Sequence, residues 1–213
     1  MLITRPNHDL STDYLYFFSQ SIIDYANKTK SLVIDLSKKR ANFKEFNSIV
    51  EKTKPPFLVL NGHGSESSVS GYDNEPLLVS GKNADILNGK IVYARSCSSA
   101  KKLGKESIEK GCRAYLGYDD DFVFMVEDEK VLHPIQDKTA SMFLEPANQI
   151  AISLLKGHTS SESNRKSKEL YKKHILKFMT SASSSEEREL IPLLLWDLEH
   201  QVCLGDQNAK ITS

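Results

Sequence analysis

The sequence predicts an α/β protein built around a mostly parallel sheet. Three observations carry this: short apolar runs alternate with amphipathic ones over residues 1–126, FLVLN among those runs is apolar on both faces, and the chain beyond Asp137 has mainly helical spacing. MLIT is the first strand. Ser11 or Thr12 is placed to cap a helix through TDYLYFFSQSIIDYANK, where Tyr14, Phe17, Phe18, Ile22 and Tyr25 recur at helical spacing. SLVIDL reads as the second strand. FKEFNSIVEK is a short amphipathic helix that stops before Pro55 and Pro56, and FLVLN is a third strand. SVSGYDNEPLLV, with turn residues Asp73 and Asn74, reads as a β-hairpin in place of the next crossover helix. KIVYAR is the fourth strand, SAKKLGKESIEKG a helix closed by Gly111, and RAYLGY with FVFMV the last strands. Strand and helix in this order imply right-handed parallel crossovers. Helices are expected over Thr139–Leu155, Glu162–Met179 and Glu186–Val202, with SASSSEE as a linker.

The 213 residues suit one domain, with a sheet core over 1–126 and a helical part over 137–213. Lys plus Arg and Asp plus Glu both number 28, so no global field recruits nucleic acid or an anionic membrane. The run from Arg165 to Lys177 is basic but fits a solvated helix face. MLITRPNHDL lacks the basic-then-apolar pattern of a signal peptide, and no segment reaches the roughly 20 apolar residues of a membrane span, which predicts a cytoplasmic protein. Cys97, Cys112 and Cys203 are expected to be free thiols, Cys112 as a small core residue and Cys203 as a residue of the C-terminal helix. No Cys or His pair has zinc-ligand spacing, so neither metal nor cofactor is expected.

In open parallel sheets the reacting groups lie beyond the carboxyl ends of the strands. The third strand ends in Asn61-Gly62-His63-Gly64-Ser65 and the fourth in Ala94-Arg95-Ser96-Cys97-Ser98. If the two strands are neighbours, His63 and Cys97 emerge side by side, as a base and a nucleophile. An imidazole there either takes the thiol proton during attack or holds it as an ion pair. The amides of Gly64 and Cys97 are candidates for an oxyanion hole, because glycine lets a carbonyl approach the backbone closely.

FLVLNGHGS followed by KIVYARSCSSA resembles the caspase-like cysteine peptidases, a group that includes metacaspases, legumains, gingipains, separases and the bacterial CHAT peptidases. The resemblance covers residues 1 to about 125. It implies a three-layer sandwich, His63 and Cys97 as catalytic dyad, Gly64 and Cys97 as oxyanion donors, and a protein or peptide substrate. The 34 residues from His63 to Cys97 fall short of the ~50 of caspases, which points to the compact prokaryotic members. Arg5 and Arg95 are placed by the resemblance near the primary specificity pocket, favouring an acidic residue. Asp119, with Asp120 and Asp121, ends the neighbouring strand and could instead neutralise Arg95 or leave an acidic pocket that prefers Lys or Arg, with small or neutral residues as the remaining alternative. The loop Glu127–Lys138 stands where such folds carry a mobile covering segment, and activation by a partner, ligand or self-assembly is expected. Roles in stress response or anti-phage defence accompany the resemblance. The competing expectations are a catalytically silent binding or scaffold module and a small-ligand sensor.

Overall fold

A computed structural model describes residues 1–211. Its centre is a six-stranded sheet in the order β2-β1-β3-β7-β8-β9, formed by β1 (Leu2–Arg5), β2 (Ile34–Ser37), β3 (Phe57–Asn61), β7 (Ile91–Arg95), β8 (Ala114–Tyr118) and β9 (Gln201–Gly205). All neighbours are parallel except β9, which runs antiparallel to β8. The expected hairpin is present: β5 (Ser68–Ser70) pairs antiparallel with β6 (Pro76–Val79), and the two-residue β4 (Gly64–Ser65) adds a third strand. Among the described residues, no helix is long and apolar enough to cross a membrane.

Alternation along each strand sends side chains to two separate cores. Leu58 and Leu60 of β3 join Leu2, Val92 and Ala94 on one face, covered by Phe46 and Val50 of α3 (Phe43–Thr53) and by Leu77 and Leu78 of the hairpin. Phe57 and Val59 join Ile3, Ile91 and Tyr93 on the other. There they are covered by Ile22 and Ile23 of α2 (Gln20–Lys28) and by Ile150, Ala151 and Leu154 of α5 (Lys138–Leu155). Helices on both faces make three layers. At roughly 1.5–3 kcal/mol per fully buried large aliphatic side chain, these two cores dominate the folding free energy.

The order of the strands fixes where a site can form. The chain leaves β1 toward β2 through α1 (Leu10–Phe18) and α2, then crosses back through α3 to β3 on the opposite side of β1. The connections after β1 and β3 therefore part company, opening a crevice at the carboxyl ends of these two strands, the usual place for a ligand in such sheets.

Four local expectations are corrected. The cap of α1 is Asp9, whose carboxylate accepts the Thr12 N–H at 2.8 Å, and not Ser11 or Thr12. The single helix expected over 12–28 is divided at Ser19, whose hydroxyl donates to Leu15 O and also serves buried groups of the sheet. FVFMV is not a strand: β9 occupies the edge of β8, and the Val123 N–H donates to the Asp197 carboxylate at 3.0 Å. The last helix is in two pieces, α7 (Ser185–Glu189) and α8 (Ile191–His200), and ends before Gln201, so Cys203 lies on β9 and not on a helix. Leu194, Leu198 and Val202 keep helical spacing across that boundary, which is why the pattern misleads. The strand wins because Gln201 is fully buried, bonded to Asn164 and to Ser167 of α6 (Ser160–Phe178).

Candidate functional site

Register aligns the two loaded strand ends. Asn61 of β3 sits opposite Arg95 of β7, and His63 and Cys97 each follow two residues later. His63 and Cys97 line one small cavity of about 60 Å³, together with Thr12, Gly62, Arg95 and Phe124. Gly62 is required there. Its φ is +149°, and a Cβ would fall 2.0 Å from the Ser70 carbonyl oxygen. Gly64 is excluded from change for another reason, since a Cβ would lie 2.6 Å from the Cys97 carbonyl oxygen and 3.0 Å from its amide nitrogen. Any side chain at position 64 would thus collide with the Cys97 backbone. Just after Cys97 the chain turns at Ser98, which adopts a left-handed φ of 55° and donates its N–H to Asp120 O at 2.8 Å.

The imidazole has a partner that sequence spacing did not indicate. Asp9 Oδ2 lies 2.6 Å from His63 Nε2, across 54 residues of sequence. Asp9 enters from the β1–α1 connection, so the two residues meet at the switch point between β1 and β3. Burial works to raise the Asp9 carboxyl, but hydrogen bonds from Thr12 and His63 outweigh it and hold the group below the usual carboxylate value. An Asp immediately before a helix could have been read as its cap. Nothing local announces that its second oxygen reaches His63. His8 joins them: ligand atoms of His8, Asp9 and His63 lie within 4.8 Å of one another.

Cys97 is half-buried, and its thiol donates to Phe122 O at 3.8 Å. Burial pushes the thiol above its ordinary value, with Asp121 and Asp197 adding to the effect and the Phe122 contact opposing it. The resting group is therefore a neutral thiol. The segment that covers it is 121–126. Phe122 packs on Tyr118 at 4.6 Å between ring centroids, and Phe124 on Tyr14 at 5.9 Å. The loop Glu127–Lys138 is not what lines the cavity. Its ends are drawn together at Asp137, which accepts the Tyr14 hydroxyl and the Glu127 N–H, both at 2.8 Å.

Arg95 is brought to the cavity, while Arg5 and Asp119 are not. Arg95 is fully buried, donating to Asn61 Oδ1 at 2.8 Å, Asn148 Oδ1 at 2.5 Å and Ser19 Oγ at 2.7 Å. All three acceptors are neutral, and among the described residues Arg95 makes no salt bridge. Arg5 is committed elsewhere: its guanidinium pairs with Asp35, donates to Gln20 and lies 4.4 Å from the Tyr16 ring centroid. Asp119 is held by His200 Nδ1 at 2.9 Å. Cys112 is a buried core thiol pushed up to about 12 by burial.

No protein-family model matches this chain, and no curated protein sequence matches it.

Proposed function

We propose that the chain is a caspase-like cysteine endopeptidase in a latent resting form. The observation that carries the reading is the shared cavity lined by His63 and Cys97, each two residues beyond paired positions of adjacent parallel strands. With Nε2 engaged by Asp9, His63 has Nδ1 left to act as base. A neutral thiol suits general-base activation better than a preformed ion pair. In the reaction proposed, Cys97 Sγ attacks the peptide carbonyl carbon as its proton passes to His63. The tetrahedral oxyanion is held by the Cys97 and Gly64 amides. Collapse expels the amine, which takes the proton from His63, and leaves a thioester. Water, deprotonated by the same imidazole, hydrolyses it and restores the thiol.

For specificity the reading rests on Arg95 alone. A buried guanidinium with only neutral acceptors favours an acidic side chain in the adjoining space. No cofactor is needed. Soluble cytoplasmic action on a protein substrate, without a membrane or nucleic-acid partner, completes the proposal.

A second reading, a catalytically silent binding module, is favoured by the small size of the cavity and by the raised thiol. An electrophilic peptide ketone separates the two. Stoichiometric labelling at Cys97 that is lost in His63→Ala supports the enzyme. Failure to label after the Phe122–Phe124 segment is loosened by Phe124→Ala supports the silent module.

A further inference from the structure

We infer that His8, Asp9 and His63 form a zinc-class divalent-metal site at the switch point of the sheet, whose occupation withdraws the His63 imidazole from chemistry. The metal site stands on its own geometry; the inhibitory effect rests on the peptidase reading above.

The donor set is two imidazoles and one carboxylate, with all three ligand atoms within 4.8 Å. Asp9 Oδ2 is central, 2.6 Å from His63 Nε2 and 3.5 Å from His8 Nε2. Ligands bound tetrahedrally at about 2.0–2.1 Å stand roughly 3.3 Å apart, so small side-chain movements suffice to admit an ion. Two nitrogens and one oxygen, with a position left for water, suit Zn²⁺ and its first-row neighbours and do not suit Mg²⁺ or Ca²⁺, which require mostly oxygen.

A second observation also points to a ligand. The His8 side chain is only 9 % exposed, and the nitrogen that faces Asp9 is Nε2, while Nδ1, on the other side of the ring, is buried without a partner among the described residues. Its Nε2 has only a 3.3 Å contact to Asn74 Oδ1 beside the 3.5 Å approach to Asp9. A buried imidazole is normally well bonded, and this one is poorly satisfied by protein alone. Asn74 Oδ1, on the turn after β5, stands beside the same nitrogen and can hold a metal-bound water. His63, in contrast, is 42 % exposed, which gives an ion an entry path.

The three residues are also held independently of any ion. Asp9 is fixed as the cap of α1, His63 follows Gly62 at the end of β3, and His8 packs against the Tyr72 ring at 5.3 Å. Such preorganisation lowers the ordering cost of binding.

Cobalt substitution tests the site without reference to activity. Titrating the full chain with Co²⁺ should give the visible absorption of low-coordinate cobalt, saturating at one ion per chain and displaced by Zn²⁺ but not by Mg²⁺. His8→Ala should weaken binding at least about tenfold, whereas His158→Ala, at a His–Glu pair elsewhere, and Cys97→Ser should leave it unchanged. Absence of the absorption in the unaltered chain, retention in His8→Ala, or loss in Cys97→Ser overturns the site. Zn²⁺ should also slow peptide-ketone labelling of Cys97 in the unaltered chain and not in His8→Ala. Equal labelling with and without saturating Zn²⁺ overturns the inhibitory role. If Cys97 never labels, the peptidase reading and the inhibition fall together, and the cobalt data still decide the site.

Discussion

Asp9 uses its two carboxylate oxygens for different tasks: Oδ1 accepts the Thr12 N–H at the start of α1, and Oδ2 contacts His63 Nε2. One residue thus joins a helix cap to the orientation of the candidate base. The two tasks are separable. Asp9→Asn keeps an oxygen for the cap and should leave stability nearly unchanged. Asp9→Ala should cost about 1 kcal/mol. Both should lower kcat of the proposed peptidase at least about tenfold and alter its pH profile, because the imidazole loses its orienting carboxylate. Urea melts and pH–rate profiles of the two variants check this; equal rates in Asp9→Asn and the parent would remove Asp9 from the site.

The Cys97 thiol makes one long hydrogen bond and borders a cavity, so its removal should be nearly free in stability. Cys97→Ala and His63→Ala should each abolish cleavage with little change in Tm. Iodoacetamide should modify Cys97 faster than Cys203, which is comparably half-buried and also raised by burial. The difference should vanish in His63→Ala. Equal rates in the parent would mean that the imidazole does not assist the thiol.

Why the sequence discloses this much is clear from particular residues. FLVLN and KIVYAR are legible because a strand buried on both faces must be apolar at every position, and the turn residues that follow mark where each ends. That alone is enough to place His63 and Cys97 together once β3 and β7 pair. Asp9 and His8 escape because their closeness to His63 depends on strand order, which no local pattern encodes. Cys203 escapes because Val202 satisfies helical and strand patterns alike, and the decision is made by the buried Gln201. The polar setting of Arg95 is hidden for the same reason: Ser19, Asn61 and Asn148 are ordinary residues until the fold gathers them.

Arg95 is a core residue as well as a cavity wall, and its variants must be read with that in mind. Arg95→Ala strips the partners from Asn61, Asn148 and Ser19 and should destabilise by more than about 3 kcal/mol. Arg95→Lys keeps the charge but not the three-way fork. It should retain measurable folding, and on peptide libraries it should keep a weakened preference for an acidic residue. A preference for Arg or Lys in the parent would refute the acidic pocket while leaving the dyad untouched.

The segment over Cys97 is tied down by a buried acid, which makes its stability depend on pH with a definite sign. Asp197 is fully buried on α8, accepts the Val123 N–H at 3.0 Å and lies 3.5 Å from the Tyr171 hydroxyl. Burial pushes its carboxyl well above the usual carboxylate range, against the opposing effect of those hydrogen bonds. The folded state therefore holds this proton more tightly than the unfolded chain does. Below the unfolded value, near 3.8, the contribution is fully present. As pH rises through the raised folded value it is lost, each tenfold difference in proton affinity being worth about 1.4 kcal/mol. Asp197→Asn keeps an acceptor for Val123 without the titrating proton. Urea midpoints taken from pH 4 to pH 9 should fall for the parent relative to Asp197→Asn, and iodoacetamide should reach Cys97 more readily in the parent as the gap opens. Parallel stability curves for the two proteins would show that Asp197 does not titrate differently on folding.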